Sequence, residues 1–438
     1  MFVFRQFVTC FRHYTLKIKS AESASWKTLR SSHSYRLAEG SHQDILIGFR
    51  YFLKAVKLIA KKPPQFPDKA SIALFKGNAS YQVELDYLAV LGEEQPELMV
   101  SREDLACATT FSQKLTILFT VLLTSPMLIM LSLVSPKRAT YASMQSDLVE
   151  CMLLDFLRKK SGVKQLWMFD SYEKDCNFIS LVLMKRGCHV VRIPSSNIIT
   201  PYYHHVVCSE FIFTASFQPE EQQQLKENWY VSSMRNLPPF NVSALLHAPR
   251  TLAEDSENTI GFISSGVWRR KERGEMASGY GEFESEDLLI DTLSNLLKKR
   301  PELNLLIYLH PCEKASPELF AGAMKEYSKH FPEGRFQILD RETPSLQAFH
   351  LCNVAVSVYS SANIERLFLG LKTLYFPACF EKNVYADTGL EIISPSSSDQ
   401  LIELLEAALP MSNSKFFTEF HLEAYRGFGL PSHLQFKS

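Results

Sequence analysis

The chain carries no excess charge of either sign: 47 Lys and Arg are matched by 47 Asp and Glu over 438 residues. A balanced total gives no support for broad nucleic-acid binding. No CxxC pair occurs. The nine cysteines, at positions 10, 107, 151, 176, 188, 208, 312, 352 and 379, are odd in number and scattered. This usage points to reduced, mostly buried thiols of a cytoplasmic protein, and away from a disulfide frame or a zinc cluster. Low-complexity tracts and repeats of fixed period are also missing. The opening stretch "MFVFRQFVTCFRHYTLKIKS" has Arg and His breaking its apolar run and no convincing cleavage site, so no signal peptide is expected.

What is present is a globular composition, 46% hydrophobic and 21% charged, on a chain long enough for two ordinary domains. Two stretches raise the question of a membrane. Ile45 to Lys62, "ILIGFRYFLKAVKLIAKK", spaces apolar residues helically among Arg50, Lys54, Lys57, Lys61 and Lys62, a basic amphipathic pattern that suits a membrane surface or an ordinary surface helix. Leu115 to Pro136 is uncharged and long enough to span a bilayer. Ser, Thr and a central Pro126 dilute it, and Pro126 predicts a kink or two short elements. Buried elements or a monotopic membrane-facing helix are expected here in preference to a span.

From about residue 70, strand-like and helix-like pieces alternate, which predicts parallel sheets covered by helices. In the first half the strands are "SIALF", "KQLWMF", "HVVRIP" and "VVCSEFIFTA", with helices over Met144–Gly162 and Glu173–Gly187. Residues 228–258 read as irregular, with Pro238 and Pro239, and as the interdomain connection. The expected domains are 1–240 and 241–438. In the second half the strands are "NTIGFISSG", "LNLLIYL", "FQIL", "NVAVSVY", "KTLYFP" and the short "LEIIS"; helices fall at "EDLLIDTLSNLLKKRPE", "PELFAGAMKEYSKHF", the short "TPSLQAFHLC", "SANIERLFLG" and "SSDQLIELLEAALP". "VWRRKERGEMASGYGEFES" reads as a polar loop.

In open parallel sheets, ligands bind beyond the carboxyl ends of the strands. Three strand ends stand out there. One offers Ser264, Ser265 and Gly266; one offers His310 and Pro311, with Glu313 close behind; one offers Ser360 and Ser361 at a helix start, followed by Asn363 and Glu365. A Ser-Ser helix start leaves backbone N–H groups for an anion such as phosphate, although its serines also serve as simple caps. His310 can donate to a second phosphate oxygen or serve as a core histidine. Glu365 can accept ribose hydroxyls or complement the helix dipole. Arg269, with Arg270, Lys271 and Arg273, can reach a diphosphate or form a solvated loop.

"LHPCE" followed by "SVYSSANIERLFLG" resembles the His-Pro and Ser-Ser motifs of bacterial polysialyltransferase-like enzymes and of capsule and lipopolysaccharide sialyltransferase-like enzymes. More broadly, residues 258–410 look like the nucleotide-sugar-binding half of GT-B glycosyltransferases. The resemblance implies an α/β fold of two Rossmann-like doubly wound domains facing a cleft. It also implies donor phosphate at His310, Pro311, Ser360 and Ser361, and typically a CMP-sialic acid donor. This chain departs from the families in two ways. Tyr308 and Leu309 stand where a basic residue often precedes His-Pro, and the acidic-acidic-Gly motif that holds their catalytic base has no clean match. For a GT-B enzyme the base comes from the N-terminal domain, where "WMFDSYEKDCNF" supplies Asp170, Glu173 and Asp175, residues equally suited to starting a helix. Adjacent His204 and His205 would point to opposite strand faces, so no structural metal is expected.

These readings converge on an inverting, metal-independent glycosyltransferase with His310 aiding the leaving phosphate. It would need no cofactor beyond a CMP- or UDP-linked nucleotide-sugar co-substrate. Its partners would be that donor, a polysaccharide or glycolipid acceptor and a peripheral contact with the inner face of the cytoplasmic membrane. Two alternatives stay open: a UDP-sugar 2-epimerase-like enzyme, and a non-catalytic subunit of a polysaccharide assembly complex.

Overall fold

The computed structural model describes residues 2–8, 49, 52–53, 56, 71–75, 81–100, 109–134, 138–170, 176–194, 206–225, 229–274, 281–380, 385 and 388–434. The chain forms two compact units. The first comprises Met1–Phe213 with Gln222–Asn236, the second Thr214–Glu221 with Leu237–Ser438. Each is built on a wholly parallel sheet with helical crossovers, the α/β class of two doubly wound sheets that the alternating pattern predicts.

The first unit runs β1 (Ile72–Phe75), α1 (Tyr81–Val90), β2 (Leu98–Val100), α2 (Phe111–Val134), α3 (Arg138–Ser161), β3 (Gln165–Asp170), α4 (Cys176–Met184), β4 (His189–Pro194) and β5 (Val206–Phe213). The chain then passes through α5 (Gln218–Leu225) to β6 (Trp229–Asn236). The strand order is β2-β1-β3-β4-β5-β6. Central strands are buried on both faces and read as near-continuous apolar runs. Their core joins Leu148 and Leu153 of α3 to Phe178 and Leu181 of α4 and to Val190, Val207 and Phe211 of the sheet.

Three differences from the sequence reading are informative. Residues 229–236 form the edge strand β6, where an irregular connection was expected. Trp229 is its buried anchor, 4.7 Å from the ring of Phe211, while Ser232 and Ser233 face outward and Arg235 pairs with Glu93 and Glu210. An edge strand exposed over consecutive residues, as at Ser232–Met234, shows no apolar alternation to read. The second is α2, which is one helix through Pro126; the proline is exposed, and it removes a single backbone donor. The third is α1 with β2, which the sequence reading did not anticipate.

The second unit runs α6 (Val242–Leu246), β7 (Thr259–Ile263), α7 (Val267–Glu272), α8 (Glu282–Lys299), β8 (Asn304–Tyr308), α9 (Pro317–Tyr327), β9 (Phe336–Ile338), β10 (Val354–Ser357), α10 (Ser361–Leu369), β11 (Thr373–Tyr375), α11 (Ser398–Ala408) and α12 (Asn413–Glu419). Helix starts follow their caps: Ser316, Ser360, Ser397 and Ser412 each accept a first-turn N–H, and Pro317 takes the first position of α9. The expected polar loop after β7 contains α7 and the first turn of α8. The expected strand "LEIIS" is a 3-10 turn at Glu391–Ile393, and "TPSLQAFHLC" makes two 3-10 turns. Helix α12 was not anticipated.

The sheet order β11-β10-β7-β8-β9 reverses direction between β7 and β10. The chain moves from β7 to β8 to β9 on one side and from β10 to β11 on the other. Such a reversal opens a crevice at the carboxyl ends of the two strands. In the first unit the reversal lies between β1 and β3, and the loops leaving those strands, 76–80 and 171–175, lie outside the described residues.

Candidate functional site

At the carboxyl edge of the second sheet, the loops after β10, β7 and β8 come in that spatial order. They carry Ser357–Ser361, Ser264–Gly266 and His310–Glu313.

The β10 loop delivers the start of α10. Ser360 is extended (φ −152°, ψ 140°), and its hydroxyl accepts the N–H of Ala362 at 3.2 Å. Ser361 is exposed at the first helical position. The helix is held from behind by Arg366, which is fully buried. Its guanidinium donates to the carbonyls of Phe349 and Lys372 and to the Thr373 hydroxyl. Asn363 is buried and donates to the Leu374 carbonyl at 3.1 Å. Glu365 is buried as well and accepts from Asn241 Nδ2 at 2.6 Å; burial raises its pKa to about 7, partly offset by that hydrogen bond.

The β8 loop is a β-turn. His310 is its first residue, Pro311 takes the second position that favours proline, and the Glu313 N–H returns to the His310 carbonyl at 2.9 Å. The Glu313 side chain closes the same turn from below, accepting the His310 N–H at 2.8 Å. The imidazole is exposed. Its Nδ1 accepts the Cys312 N–H at 3.2 Å and lies 3.0 Å from the Cys312 thiol, which leaves the proton of the neutral ring on Nε2.

The β7 loop packs directly against this turn. Gly266 has φ 74°, and a Cβ there would sit 2.7 Å from the Cys312 sulfur and 3.1 Å from His310 Nδ1. Beneath it is a carboxylate pair of which the sequence reading identified one member. Glu286, in the second turn of α8, is buried and accepts the N–H groups of Ser265 (2.6 Å) and Val267 (3.2 Å). Ser264 Oγ accepts the Gly266 N–H at 2.9 Å. The Tyr327 hydroxyl bridges Ser264 Oγ (2.8 Å) and Glu313 Oε1 (2.9 Å). Burial, then the charge of Glu313, raises the pKa of Glu286 to about 7, against the pull of its two backbone donors. Burial also raises Glu313.

The predicted site residues therefore separate into two groups. His310, Pro311 and Ser361 are exposed and Ser360 is half-buried beside them at the edge, whereas Ser264, Ser265, Gly266, Glu313, Asn363 and Glu365 are buried. The basic run is drawn away from a ligand by local acids: Arg269 pairs with Glu272, Arg270 with Glu282 at 2.7 Å, and Lys271 with Asp287 at 2.5 Å. Glu286 is the residue that sequence reasoning missed. Its signal was a carboxylate on the apolar stripe of α8, in line with Phe283, Ile290, Leu293 and Leu297, a position a solvated acid does not take. Asp170 ends β3, paired in register with Pro194, while Glu173, Asp175, His204 and His205 lie outside the described residues.

No protein-family model matches the chain, and no curated protein does. Among solved structures, it is similar to a glycosyltransferase from Rickettsia africae, at 12% identity over 84% of this chain and 96% of that one, with a TM-score of 0.43. It is also similar to a UDP-GlcNAc 2-epimerase from Neisseria meningitidis bound to UDP-GlcNAc, at 12% identity over 83% and 97%, with a TM-score of 0.47. A third is a UDP-GlcNAc 2-epimerase from Methanocaldococcus jannaschii, in complex with UDP-GlcNAc and UDP, at 11% identity over 78% and 94%, with a TM-score of 0.46. These similarities are ones of architecture, and the reading of activity rests on the residues of the site.

Proposed function

We propose that this chain is an inverting, metal-independent glycosyltransferase that moves a sugar, sialic acid being the candidate implied by the motifs, from a CMP- or UDP-linked donor to a polysaccharide or glycolipid hydroxyl. One observation carries the reading. The start of α10, the Gly266 loop and the exposed His310 imidazole lie in adjacent loops along one sheet edge, at the point where the strand order reverses.

A departing nucleotide phosphate needs its growing negative charge met. The positive end of the α10 dipole and the Nε2–H of His310 are suited to that charge, and a protonated His310 adds a full positive charge. The acceptor oxygen attacks the anomeric carbon, the bond from that carbon to the phosphate oxygen breaks with its electron pair going to phosphate, and the acceptor proton passes to a base. Asp170 and Glu173 are the bases the sequence offers. Phosphate binding at His310 supports a transferase and an epimerase alike, so the test must separate them.

The test is nucleotide binding followed by product analysis. Thermal shift is measured with CMP, CDP, UDP and GDP for wild type and His310→Ala. A shift with CMP that the variant loses supports a sialyltransferase-like enzyme. UDP binding calls for incubating a UDP-sugar without acceptor: an epimerised UDP-sugar in the NMR spectrum overturns the transferase, and transfer to an added acceptor sustains it. A folded protein that binds none of the four nucleotides overturns the reading.

A further inference from the structure

Helix α2 is apolar on both faces, and one of them is exposed. Phe111 is 77% exposed, Phe119 67% and Leu123 58%, and Leu115, Leu122 and Met130 share their face. The opposite face, which packs along α3, buries Ile117, Val121 and Leu128 together with four hydroxyl residues, Thr120, Thr124, Ser125 and Ser132. Their polarity is consumed internally. Thr120 and Thr124 donate to the carbonyls one turn back at 2.8 and 2.9 Å, and Ser125 donates to Gln145 Oε1 of α3 at 2.9 Å. Large apolar side chains on the outer face, with hydroxyls satisfied among the inner contacts, suit a helix whose outer solvent is hydrocarbon. At 1.5 Å per residue the stripe runs about 36 Å, far beyond the scattered apolar side chains of an ordinary surface.

The flanking charge says what covers this face. No charged residue occurs between Lys114 and Lys137, and no acidic residue between Asp104 and Asp147. A helix that pairs with a second copy of itself lines its apolar seam with charges of both signs; this one has none along its length and cations at its ends. The other basic stretch, 45–62, repeats the theme. No acid occurs between Asp44 and Asp68, and the helical positions Phe49 and Leu53, a turn apart, are exposed. Basic residues beside exposed apolar side chains match an anionic lipid surface. A span is excluded by α3, which lies along the inner face of α2 and buries Asp147, Glu150 and Asp155.

We propose that α2 is a monotopic anchor, lying in the headgroup boundary of an anionic bilayer with its Phe, Leu and Met face in the acyl region. The inference is independent of the nucleotide-sugar reading, and its test involves no nucleotide.

Full-length protein is floated with vesicles of phosphatidylcholine, with and without phosphatidylglycerol, and the double variant Phe119→Glu/Leu123→Glu is floated beside it. Wild type is expected to float with the anionic vesicles, less so at high salt. The variant should partition about tenfold less or weaker with an unchanged melting temperature, since both side chains are exposed. A single Phe119→Trp variant guards against misfolding of the double variant: the emission it adds over wild type should be quenched by brominated acyl chains. Wild type that stays with the buffer overturns the proposal, and light scattering then shows whether the face is covered by a second copy. Flotation that the double variant retains overturns it as well, as does a Phe119→Trp protein that floats while its added emission stays unquenched.

Discussion

Changing Glu286 to Gln should remove a pH-dependent burden from the second unit. The carboxyl is buried, faces Glu313, and titrates at about 7 against an ordinary 4.5. The folded state therefore holds a proton that the unfolded chain has released throughout that window. Stability contributed by the protonated side chain is fully present below the unfolded value and is lost as pH rises through the folded one. At about 1.4 kcal/mol per pH unit, the loss is about 3 kcal/mol. Gln resembles the protonated acid in charge: its carbonyl can still accept the Ser265 N–H and it does not repel Glu313, while its amide nitrogen offers the Val267 N–H no acceptor, a cost that is the same at every pH. Beyond that constant cost of about 1–3 kcal/mol, the variant should gain up to about 3 kcal/mol on wild type between about pH 5 and about pH 8. The assay is urea unfolding followed through Trp268, the sole tryptophan of the second unit, with Trp26, Trp167 and Trp229 changed to Phe. Glu365, raised to about 7 by its own burial, gives both proteins a residual slope of the same sign, so the quantity to read is the difference between them. Parallel curves over this range would show that Glu286 keeps one protonation state, and the carboxylate-pair argument would fail.

Three other outcomes follow from the same geometry. Gly266→Ala should cost about 1 kcal/mol or more for its left-handed backbone, and the new methyl, placed against Cys312 and His310, should weaken nucleotide binding by calorimetry. Alkylation of Cys312, whose sulfur lies 3.0 Å from His310 Nδ1, should lower nucleotide affinity, and saturating nucleotide should slow the alkylation, as read by peptide mass spectrometry. Lys372→Met should lower stability by about 1–3 kcal/mol by leaving buried carbonyls unmet: Nζ donates to the carbonyls of Ala408, Leu409 and Met411 beyond the end of α11, a role reflected in a pKa lowered to about 8 by burial and by Arg366. Urea unfolding measures it.

The second sheet was legible because its strands are buried on both faces and stop at small or polar residues, as β7, β8 and β10 do. At the edge the pattern thinned: in β6 the apolar Trp229–Val231 gives way to consecutive exposed residues, Ser232, Ser233 and Met234, and the strand passed for a connection. Helix α2 misled in the opposite way. Its apolar density was plain, but both faces are apolar, and which of them meets α3 is a matter of packing that no periodicity states. At the site, the sequence marked the strand ends and could not say which of their residues turn inward. Ser264 and Ser361 are alike as serines near a strand end. The first is held below the surface by Tyr327 and Gly266, and the second opens a helix into solvent.

That inward network has a mechanical consequence. Glu286 ties the Ser265 and Val267 N–H groups, Glu313 ties the His310 N–H, and Tyr327 joins the two systems through Ser264. The β7 and β8 loops therefore behave as one platform, with Gly266 at the seam where no side chain fits. The start of α10 is fixed separately, through Arg366 to Phe349, Lys372 and Thr373. On the proposed reading, donors held this way would be oriented before a phosphate arrives, and binding would spend little on arranging them. The arrangement also explains why three of the predicted ligand residues are buried. Ser264, Ser265 and Glu313 do not need to touch a donor to matter on the proposed reading, because they hold the two loop backbones from one of which the His310 ring projects.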